Sequence, residues 1–381
     1  MTDRPLSILL VGDYPPDPTL GSSKVFYKLQ EEFRARGHDC DLVLGEEMGG
    51  PAYRQVRQLV APWFAAAAIR RRFDRKSYDV VDIASAEGLR VGGLRNASGP
   101  RFAVISRSNG LEHLNYRRML EDHDVGLAAK GWTRRIWYPA SRLSQVAAAA
   151  RRADRLLLLN EDDRRFALER GWKRSTEIDI VPHGVSERFL TDAATQMDRG
   201  KGLLFCATWD HMKGIAYLVQ TFERLHERGR RLHLTVLGPA VDPQMVLSAF
   251  ATSVREFVHV VPRAAEQQVI EAFRTHDALL WLSTYEGFGL VPLEAMSQGL
   301  PVVATPVGCV PSLVRDGENG LVVPRRDAEA AVAAVERLMD AAGLRRTIGE
   351  AGRRSVAGMT WGQTARRTLD VYARAREALV A

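Results

Sequence analysis

The chain has 381 residues, of which 46% are hydrophobic and 26% are charged. This composition is typical of globular domains and excludes a largely disordered chain or a fibrous repeat. The formal net charge of +7 comes from 53 Lys and Arg against 46 Asp and Glu, which permits binding to phosphates or anionic lipid and does not require nucleic acid. At roughly 100–200 residues per domain, the length predicts two domains, or three.

Cysteine usage and hydropathy bear on the cellular compartment. Cys40, Cys206 and Cys309 share no Cys-x-x-Cys spacing, which disfavours both a disulfide framework and a thiolate zinc site. A reducing compartment fits this usage best. Because no run of about eighteen uncharged apolar residues occurs, we predict a cytoplasmic protein that at most rests on the inner face of a membrane.

The first half of the chain alternates short apolar runs with helical patterns. We predict strands at residues 7–11, 41–44, 79–83, 102–106, 155–159 and 178–181. Helices are predicted at 24–36, at 53–75 with a break or kink at Pro62, and in further stretches up to about residue 152.

The second half repeats this alternation. Strands are predicted at residues 203–207, 232–237, 258–261, 278–282, 301–304 and 321–323, and helices at 215–227, 266–275 and 291–298. Beyond the last strand the pattern stays helical, with interruptions near Gly343, Gly352 and Met359.

Repeated strand–helix–strand units predict an α/β architecture in which helices cover both faces of parallel sheets. The strands are too many for one ordinary sheet, so we predict two Rossmann-like, doubly wound domains facing each other across a cleft. A polar stretch at 191–202 places the boundary, giving domains 1–196 and 197–360, and we expect a final helix at 361–381 to return to the first domain. Ligands of such sheets bind at the carboxyl ends of the strands.

The most informative stretch runs from residue 283 to 299, after a predicted strand, and opens a helix near Leu290. It reads Ser-Thr-Tyr-Glu-Gly-Phe-Gly-Leu-Val-Pro-Leu-Glu-Ala-Met-Ser-Gln-Gly. Backbone N–H groups at such a helix start form an anion site, and the carboxylates of Glu286 and Glu294 are good acceptors for sugar hydroxyls. The alternative is structural: Glu286 caps the helix, and Glu294 is a solvated helix residue.

The segment from Glu286 to Ala304 resembles the Glu-x7-Glu motif of retaining glycosyltransferases with the two-domain GT-B fold, in particular glycosyltransferase family 4, the glycosyl transferases group 1. The similarity continues through residues 314–324 and is weaker in the first half. It implies that Glu294 binds the ribose hydroxyls of a nucleotide-diphosphate sugar. It also implies that Glu286 and the backbone of the next four residues contact the transferred sugar and the diphosphate; those residues are Gly287, Phe288, Gly289 and Leu290.

Two further loops of the second half match the family in part. The Lys213-Gly214 pair corresponds to the family's Lys-Gly, which holds the diphosphate, but Thr208 stands where an arginine is expected. Arg263, in the loop after the predicted strand at 258–261, resembles the residue that meets the nucleotide base; the alternative is an ordinary surface arginine.

The first half carries weaker correspondences. Gly21 and Ser22 stand where family members often have Gly-Gly approaching the diphosphate, while Ser22 or Ser23 is also a plausible helix N-cap. Asn109 occupies the place of the family's histidine, and an amide cannot exchange protons near neutral pH. His113 could substitute for that histidine, or it is a surface helix residue.

The resemblance implies transfer of a hexosyl unit with retention, by a front-face mechanism without a protein nucleophile, a metal or a cofactor. It also implies that the domain at 1–196 binds the acceptor and that the domain at 197–360 binds the nucleotide sugar. Its catalytic residues would be Glu286, Lys213 and Asn109. Two alternatives remain open: a nucleotide-sugar epimerase or phosphorylase on the same fold, and a non-catalytic nucleotide-sugar-binding protein.

The expected partners are a nucleotide-sugar donor and an unknown acceptor, which could be a glycan, a small molecule or lipid-linked; nucleic acid is not expected. Basic residues mix with aromatic ones at 53–76 and 130–138. Such segments favour an anionic membrane surface. The alternative is that the aromatic side chains belong to the core and the arginines are simply solvated.

Overall fold

The computed structural model describes residues 4–18, 20–95, 101–126, 132–191 and 199–380. Their contacts divide the chain into two compact units. The first unit comprises the described residues within 1–116, 129–184 and 361–381, and the second comprises those within 117–128 and 185–360. The boundary predicted between residues 196 and 197 lies outside the described residues.

The first unit is built on a parallel sheet of six strands in the order β2-β1-β3-β4-β5-β6. The strands are β1 Ser7–Val11, β2 Asp39–Val43, β3 Val80–Ala84, β4 Ala103–Arg107, β5 Arg155–Leu158 and β6 Ile178–Ile180. Every residue of β3 and β4 is buried, as expected for central strands covered on both faces.

Helices of the first half follow or connect these strands. They are α1 Gly21–Ala35, α2 Gly45–Met48, α3 Arg54–Phe73, α4 Glu112–Asp124, α5 Trp132–Tyr138, α6 Ser144–Arg152 and α7 Glu161–Glu169. A 3-10 segment spans Ser85–Leu94, and a π-helical turn spans Pro139–Leu143.

The second unit has its own six-stranded parallel sheet in the order β12-β11-β10-β7-β8-β9. The strands are β7 Leu203–Cys206, β8 Leu234–Leu237, β9 Val258–Val261, β10 Ala278–Trp281, β11 Val302–Ala304 and β12 Leu321–Val322. The helices are α8 Glu187–Thr191, α9 Ile215–Glu227, α10 Pro243–Ser248, α11 Glu266–Thr275, α12 Leu290–Ser297, α13 Val310–Leu313, α14 Ala328–Asp340 and α15 Ala342–Val356. The predicted α/β fold of two doubly wound sheets is therefore confirmed.

Every predicted strand is present, but three local predictions are wrong. Helix α3 continues through Pro62 rather than breaking there, because Ala61, Ala65 and Ile69 bury its apolar face and offset the cost of the proline. A kink at Pro62 stays a prediction.

The interruption predicted near Gly343 is confirmed, because α14 ends at Asp340 and α15 begins at Ala342, and so is the one near Met359, after α15 ends at Val356. The interruption predicted near Gly352 is wrong, because α15 runs through this residue. A glycine inside a helix costs only about 1 kcal/mol, which the buried face of α15 offsets.

The predicted N-cap of the first helix is the third wrong prediction. Helix α1 begins at Gly21 with Leu20 as its N-cap, so neither serine caps it. The Ser23 hydroxyl is buried instead and donates a hydrogen bond to the carbonyl oxygen of Pro15, at 2.7 Å. This bond ties the loop after β1 to the first turn of α1.

The last helix, α16 Trp361–Val380, belongs to the first unit, as predicted. Its Tyr372 hydroxyl donates to Asp82 Oδ2 of β3 at 2.5 Å. The Arg107 guanidinium of β4 donates to both Asp82 oxygens, at 2.6–3.0 Å. All three side chains are fully buried, and burial together with the Asp82 carboxylate raises the pKa of the Tyr372 hydroxyl well above its usual value.

We predict that Asp82→Asn destabilises the first unit by about 3–5 kcal/mol, because it leaves the buried Arg107 charge unpaired. The matched control is Arg374→Ala, which removes a half-exposed ion pair with Asp179 and should cost at most about 1 kcal/mol. Urea denaturation of both variants measures the difference. Equal losses would show that the buried triad does not hold α16 in place.

Candidate functional site

The strand order of the second sheet creates a crevice at one place. From β7 the chain proceeds to β8 and β9 on one side of the sheet, and it then crosses to β10 on the other side of β7. Loops that leave the carboxyl ends of β7 and β10 therefore run in opposite directions. Ligands of open parallel sheets bind at such a switch point.

Lys213 and Glu286 meet at this switch point. Lys213 closes the short 3-10 turn His211–Lys213 after β7, and its Nζ donates to Glu286 Oε1 at 2.7 Å. The Ser283 hydroxyl donates to the same oxygen, at 2.8 Å. The Lys213 ammonium also lies 5.2 Å from the centre of the Trp281 ring, within the range of a cation–π attraction.

The two loops are braced by backbone contacts. Thr284 donates its N–H to the Met212 carbonyl oxygen at 2.8 Å. Gly214 has φ +72°, and a Cβ there would collide with the Leu282 carbonyl group. The Lys213-Gly214 sequence therefore serves the fold as well as the site, since a bulkier residue after Lys213 would force the loops apart.

Helix α12 begins beside this ion pair. Gly289 is its N-cap with φ +85°, and no side chain of the described residues caps it. The backbone N–H groups of Leu290 and Val291 are thus left to solvent or a ligand, while Pro292 has no N–H. Gly308 closes the opposite side: its φ is +61°, and a Cβ there would overlap the Phe288 carbonyl oxygen and stand 2.9 Å from Glu286 Cβ.

Neither glutamate has the structural role that the sequence left open. Glu286 is 8% exposed and accepts from Lys213 and Ser283 rather than capping α12. Glu294 is 7% exposed and is not a solvated helix residue. Burial and the nearby Glu294 carboxylate raise the pKa of the Cys206 thiol at the end of β7 to about 12, so Glu294 acts on the same end of the sheet.

The remaining predicted residues of this half lie differently. Gly287 and Phe288 are buried in the loop that Cys309 braces through a hydrogen bond from its N–H to the Phe288 carbonyl oxygen, at 2.6 Å. Arg263 is exposed after the edge strand β9, with β8 between that strand and β7; its contact with a base stays a prediction. Arg325, which the sequence did not single out, donates to the Thr284 carbonyl oxygen at 3.4 Å.

The first unit has a cavity of about 710 Å³ at its own switch point, where the loops after β1 and β3 diverge. Ser22 and Asn109 line this cavity, and Gly21 is the exposed first residue of α1. His113 does not line it. Its ring packs against Phe166 and Trp172 with centroids 5.5 and 4.8 Å apart.

His113 therefore lies away from this cavity, and its replacement of the family's histidine stays a prediction; it is half-buried rather than a plain surface residue. Burial lowers its pKa to about 4, so the ring is neutral near pH 7. Sequence reasoning missed the charged side chains of the cavity, Glu87, Glu112 and Arg142. Of these, Glu87 follows a predicted strand by a few residues, and this position was the signal that could have identified it as a residue of the site.

No helix among the described residues is long and apolar enough to cross a membrane. Within the same residues, no group of three or more His, Cys, Asp or Glu side chains is placed to hold a metal ion.

Comparisons with known proteins bear on this site. Residues 192–355 match the family model described as "Glycosyl transferases group 1". The chain is 31% identical over 264 residues to the "D-inositol 3-phosphate glycosyltransferase" of Kineococcus radiotolerans, a match covering 62% of this chain and 61% of that relative. The chain spans about three fifths of the length of the first curated relatives it matches.

Solved structures share the fold over nearly the whole chain. Sucrose-phosphate synthase from Thermosynechococcus elongatus has a TM-score of 0.78 at 20% identity and covers 98% of this chain and 100% of its own. Anabaena Alr3699/HepE, solved in complex with UDP and glucose, has a TM-score of 0.68 at 13% identity and covers 97% and 100%. Residues 192–355 are therefore similar to the glycosyl transferases group 1 family, and the chain has the GT-B fold.

We predict that Gly308→Ala loosens the loop at Glu286, because its methyl group would overlap the Phe288 carbonyl oxygen. The buried Cys309 thiol beside it should then react faster with an aromatic disulfide reagent, and mass spectrometry of the labelled chain identifies the site. We expect at least about a tenfold increase in rate, equivalent to about 1.4 kcal/mol of lost local protection.

The matched control is Gly343→Ala, where a Cβ meets no atom within 4 Å. It should leave the labelling rate unchanged. If Gly308→Ala labels no faster than this control, Gly308 does not brace the site.

Proposed function

We propose that this protein is a retaining glycosyltransferase, which moves a hexosyl unit from a nucleotide-diphosphate sugar to an acceptor hydroxyl without a metal. The observation that carries the proposal is the pairing of Lys213 with Glu286 beside the uncapped start of α12, at the switch point of the second sheet. A cation, free backbone N–H groups and two buried carboxylates then converge where a ligand of this fold binds.

The diphosphate binds at the start of α12. Backbone N–H groups and the positive end of the helix dipole favour an anion there. Lys213 has three N–H donors, so it can keep its bond to Glu286 and still donate to a phosphate oxygen. Arg325, held at the Thr284 carbonyl, brings a second positive charge to the loop and stands in for the family's arginine, whose place Thr208 occupies.

The two glutamates bind hydroxyl groups. Glu294 accepts from the ribose hydroxyls, as acidic residues do in dinucleotide folds. Glu286, oriented by Lys213 and Ser283, accepts from the transferred sugar. Both carboxylates are largely buried, and hydrogen bonds to ionised acceptors are stronger than neutral ones.

The transfer step needs no protein nucleophile. The bond from the anomeric carbon to the phosphate oxygen breaks, the acceptor oxygen attaches on the same face, and its proton passes to the departing diphosphate. Lys213 and the start of α12 stabilise the negative charge that develops on that leaving group. The role of Asn109 in transfer stays a prediction.

The membrane partner also stays a prediction. Trp63, Ile136 and Trp137 are between 48 and 67% exposed, whereas Phe73 packs against the core of the first unit. Residues 130 and 131 lie outside the described part of the chain. Sedimentation with anionic and with zwitterionic vesicles tests this surface. We expect the double variant Trp63→Ala, Trp137→Ala to bind anionic vesicles less than the intact chain does, with no change for zwitterionic vesicles. If the intact chain binds both kinds of vesicle equally, an anionic membrane partner is ruled out.

We predict that Lys213→Ala lowers kcat by about 10²–10³, because it removes a stabiliser of the leaving group. Glu294→Gln should instead raise the donor KM by about tenfold or more, since a hydrogen bond to a charged group is worth about 1.5–3 kcal/mol. A thermal-shift screen first selects the donor, and release of nucleoside diphosphate with acceptor extracts then gives the rates. The anomeric configuration of the product, read by NMR, tests retention.

The matched control is Lys201→Ala, at an exposed lysine of the same unit, which should keep wild-type rates. Unchanged transfer in both Lys213→Ala and Glu294→Gln would contradict the assigned roles. Conversion of the donor sugar without any acceptor would point to an epimerase, and donor binding without turnover on any acceptor would point to a binding protein.

A further inference from the structure

The cavity of the first unit has a charge pattern that the proposed function does not use. Four carboxylates and two guanidiniums line its volume of about 710 Å³. The acids are Asp13, Glu46, Glu87 and Glu112, and the cations are Arg57 and Arg142.

Arg142 is committed to carboxylates. Its Nη1 donates to Glu87 Oε1 at 3.0 Å, and its Nη2 donates to Glu112 Oε1 at 2.8 Å. Arg142 and Glu87 are both largely buried, which fixes the guanidinium between its two acids.

Arg57 is committed in the same way. Its Nε donates to Asp13 Oδ2 at 3.1 Å and its Nη2 donates to Asp13 Oδ1 at 2.6 Å, a forked geometry that suits this pair. Its Nη2 also donates to the Gly45 carbonyl oxygen at 2.6 Å. Among the described residues of the wall, both guanidiniums thus already face acceptors of the protein.

The remaining polar wall offers mainly acceptors. Glu112 is held by the Ser85 and Tyr138 hydroxyls at 2.8 and 2.9 Å. The Asn109 Oδ1 atom is buried and has no hydrogen-bond partner among the described residues, so a donor from a ligand would satisfy it. Burial raises the pKa of Glu87, with the Glu112 charge adding to the effect, as expected where carboxylates crowd together.

We propose that this cavity takes the acceptor and selects a sugar or polyol whose inserted part carries no phosphate or carboxylate. Hydroxyl and amino groups donate to the carboxylates and to Asn109, whereas an anion would stand beside an excess of negative charge, with no free cation among the described residues of the wall. That the bound sugar is an acceptor rests on the proposed function. The selectivity against anionic sugars follows from the residues of the cavity alone.

The test compares matched probes on the full chain. Glucose, galactose and mannose are titrated beside their 2-amino and 6-phosphate derivatives, with binding followed by saturation-transfer NMR at low and high salt. For at least one of the three sugars, the parent or the 2-amino derivative should bind about tenfold or more tightly than the 6-phosphate. High salt should reduce this difference in affinity. Equal or tighter binding of the 6-phosphates overturns the proposal, as does the absence of binding by every parent and amino sugar in the millimolar range.

A charge-reversal variant makes the test specific to this wall. Glu46 is exposed on α2 and lines the cavity, so Glu46→Lys supplies a free cation with little risk to the fold. It should strengthen binding of the 6-phosphate, relative to binding of the parent sugar, by about tenfold. Glu47→Lys, at the next and also exposed position of α2 outside this wall, is the matched control; an equal effect of both variants overturns the proposal.

Failure of the proposed function is measured separately. Nucleoside-diphosphate binding, and its loss in Lys213→Ala, report on the second unit only. If no nucleoside diphosphate binds while the sugar selectivity holds, the glycosyltransferase proposal fails and the cavity's selectivity stands. If the nucleoside diphosphate binds and the 6-phosphates are preferred, the selectivity proposed for the cavity fails and the glycosyltransferase proposal stands.

Discussion

The adjacency of β7 and β10 is the constraint on which the candidate site depends. Parallel pairing sets these strands side by side, so the loops that follow them leave from one edge of the sheet. The bond from Lys213 to Glu286 joins those loops across 73 positions of sequence. Because both side chains are largely buried, the pair is costly to desolvate and is weak evidence for stability alone. The proposed binding of a diphosphate beside the uncapped start of α12 would explain why this buried pair is present.

The first unit obeys the same constraint with different chemistry. Its cavity also lies where the chain reverses direction across the sheet, between β1 and β3. There the arginines are paired with acids, whereas at the start of α12 a cation stands next to free backbone donors. The two proposed ligands follow this difference: an anion at one switch point and hydroxyl donors at the other.

The sequence predicted the strands and the site in the second half because both depend on local patterns. Buried parallel strands appear as continuous apolar runs, and the motif around Glu286 lies within one loop and one helix. The break at Pro62 and the interruption at Gly352 were predicted wrongly because tertiary burial outweighs local propensity. The cavity of the first unit was missed because Glu87, Glu112 and Arg142 come from separate segments, and only the fold brings them together. The packing of His113 was not predicted because its aromatic neighbours belong to a later helix and the loop beyond it.

The most direct measurement is calorimetric titration of the full chain with a nucleoside diphosphate and with the monophosphate of the same nucleoside. If Lys213 and the start of α12 grip a diphosphate, the diphosphate binds about tenfold or more tightly, and Lys213→Ala removes most of that difference. Equal affinity for the two nucleotides in the intact chain, or a difference that Lys213→Ala leaves untouched, would contradict this account.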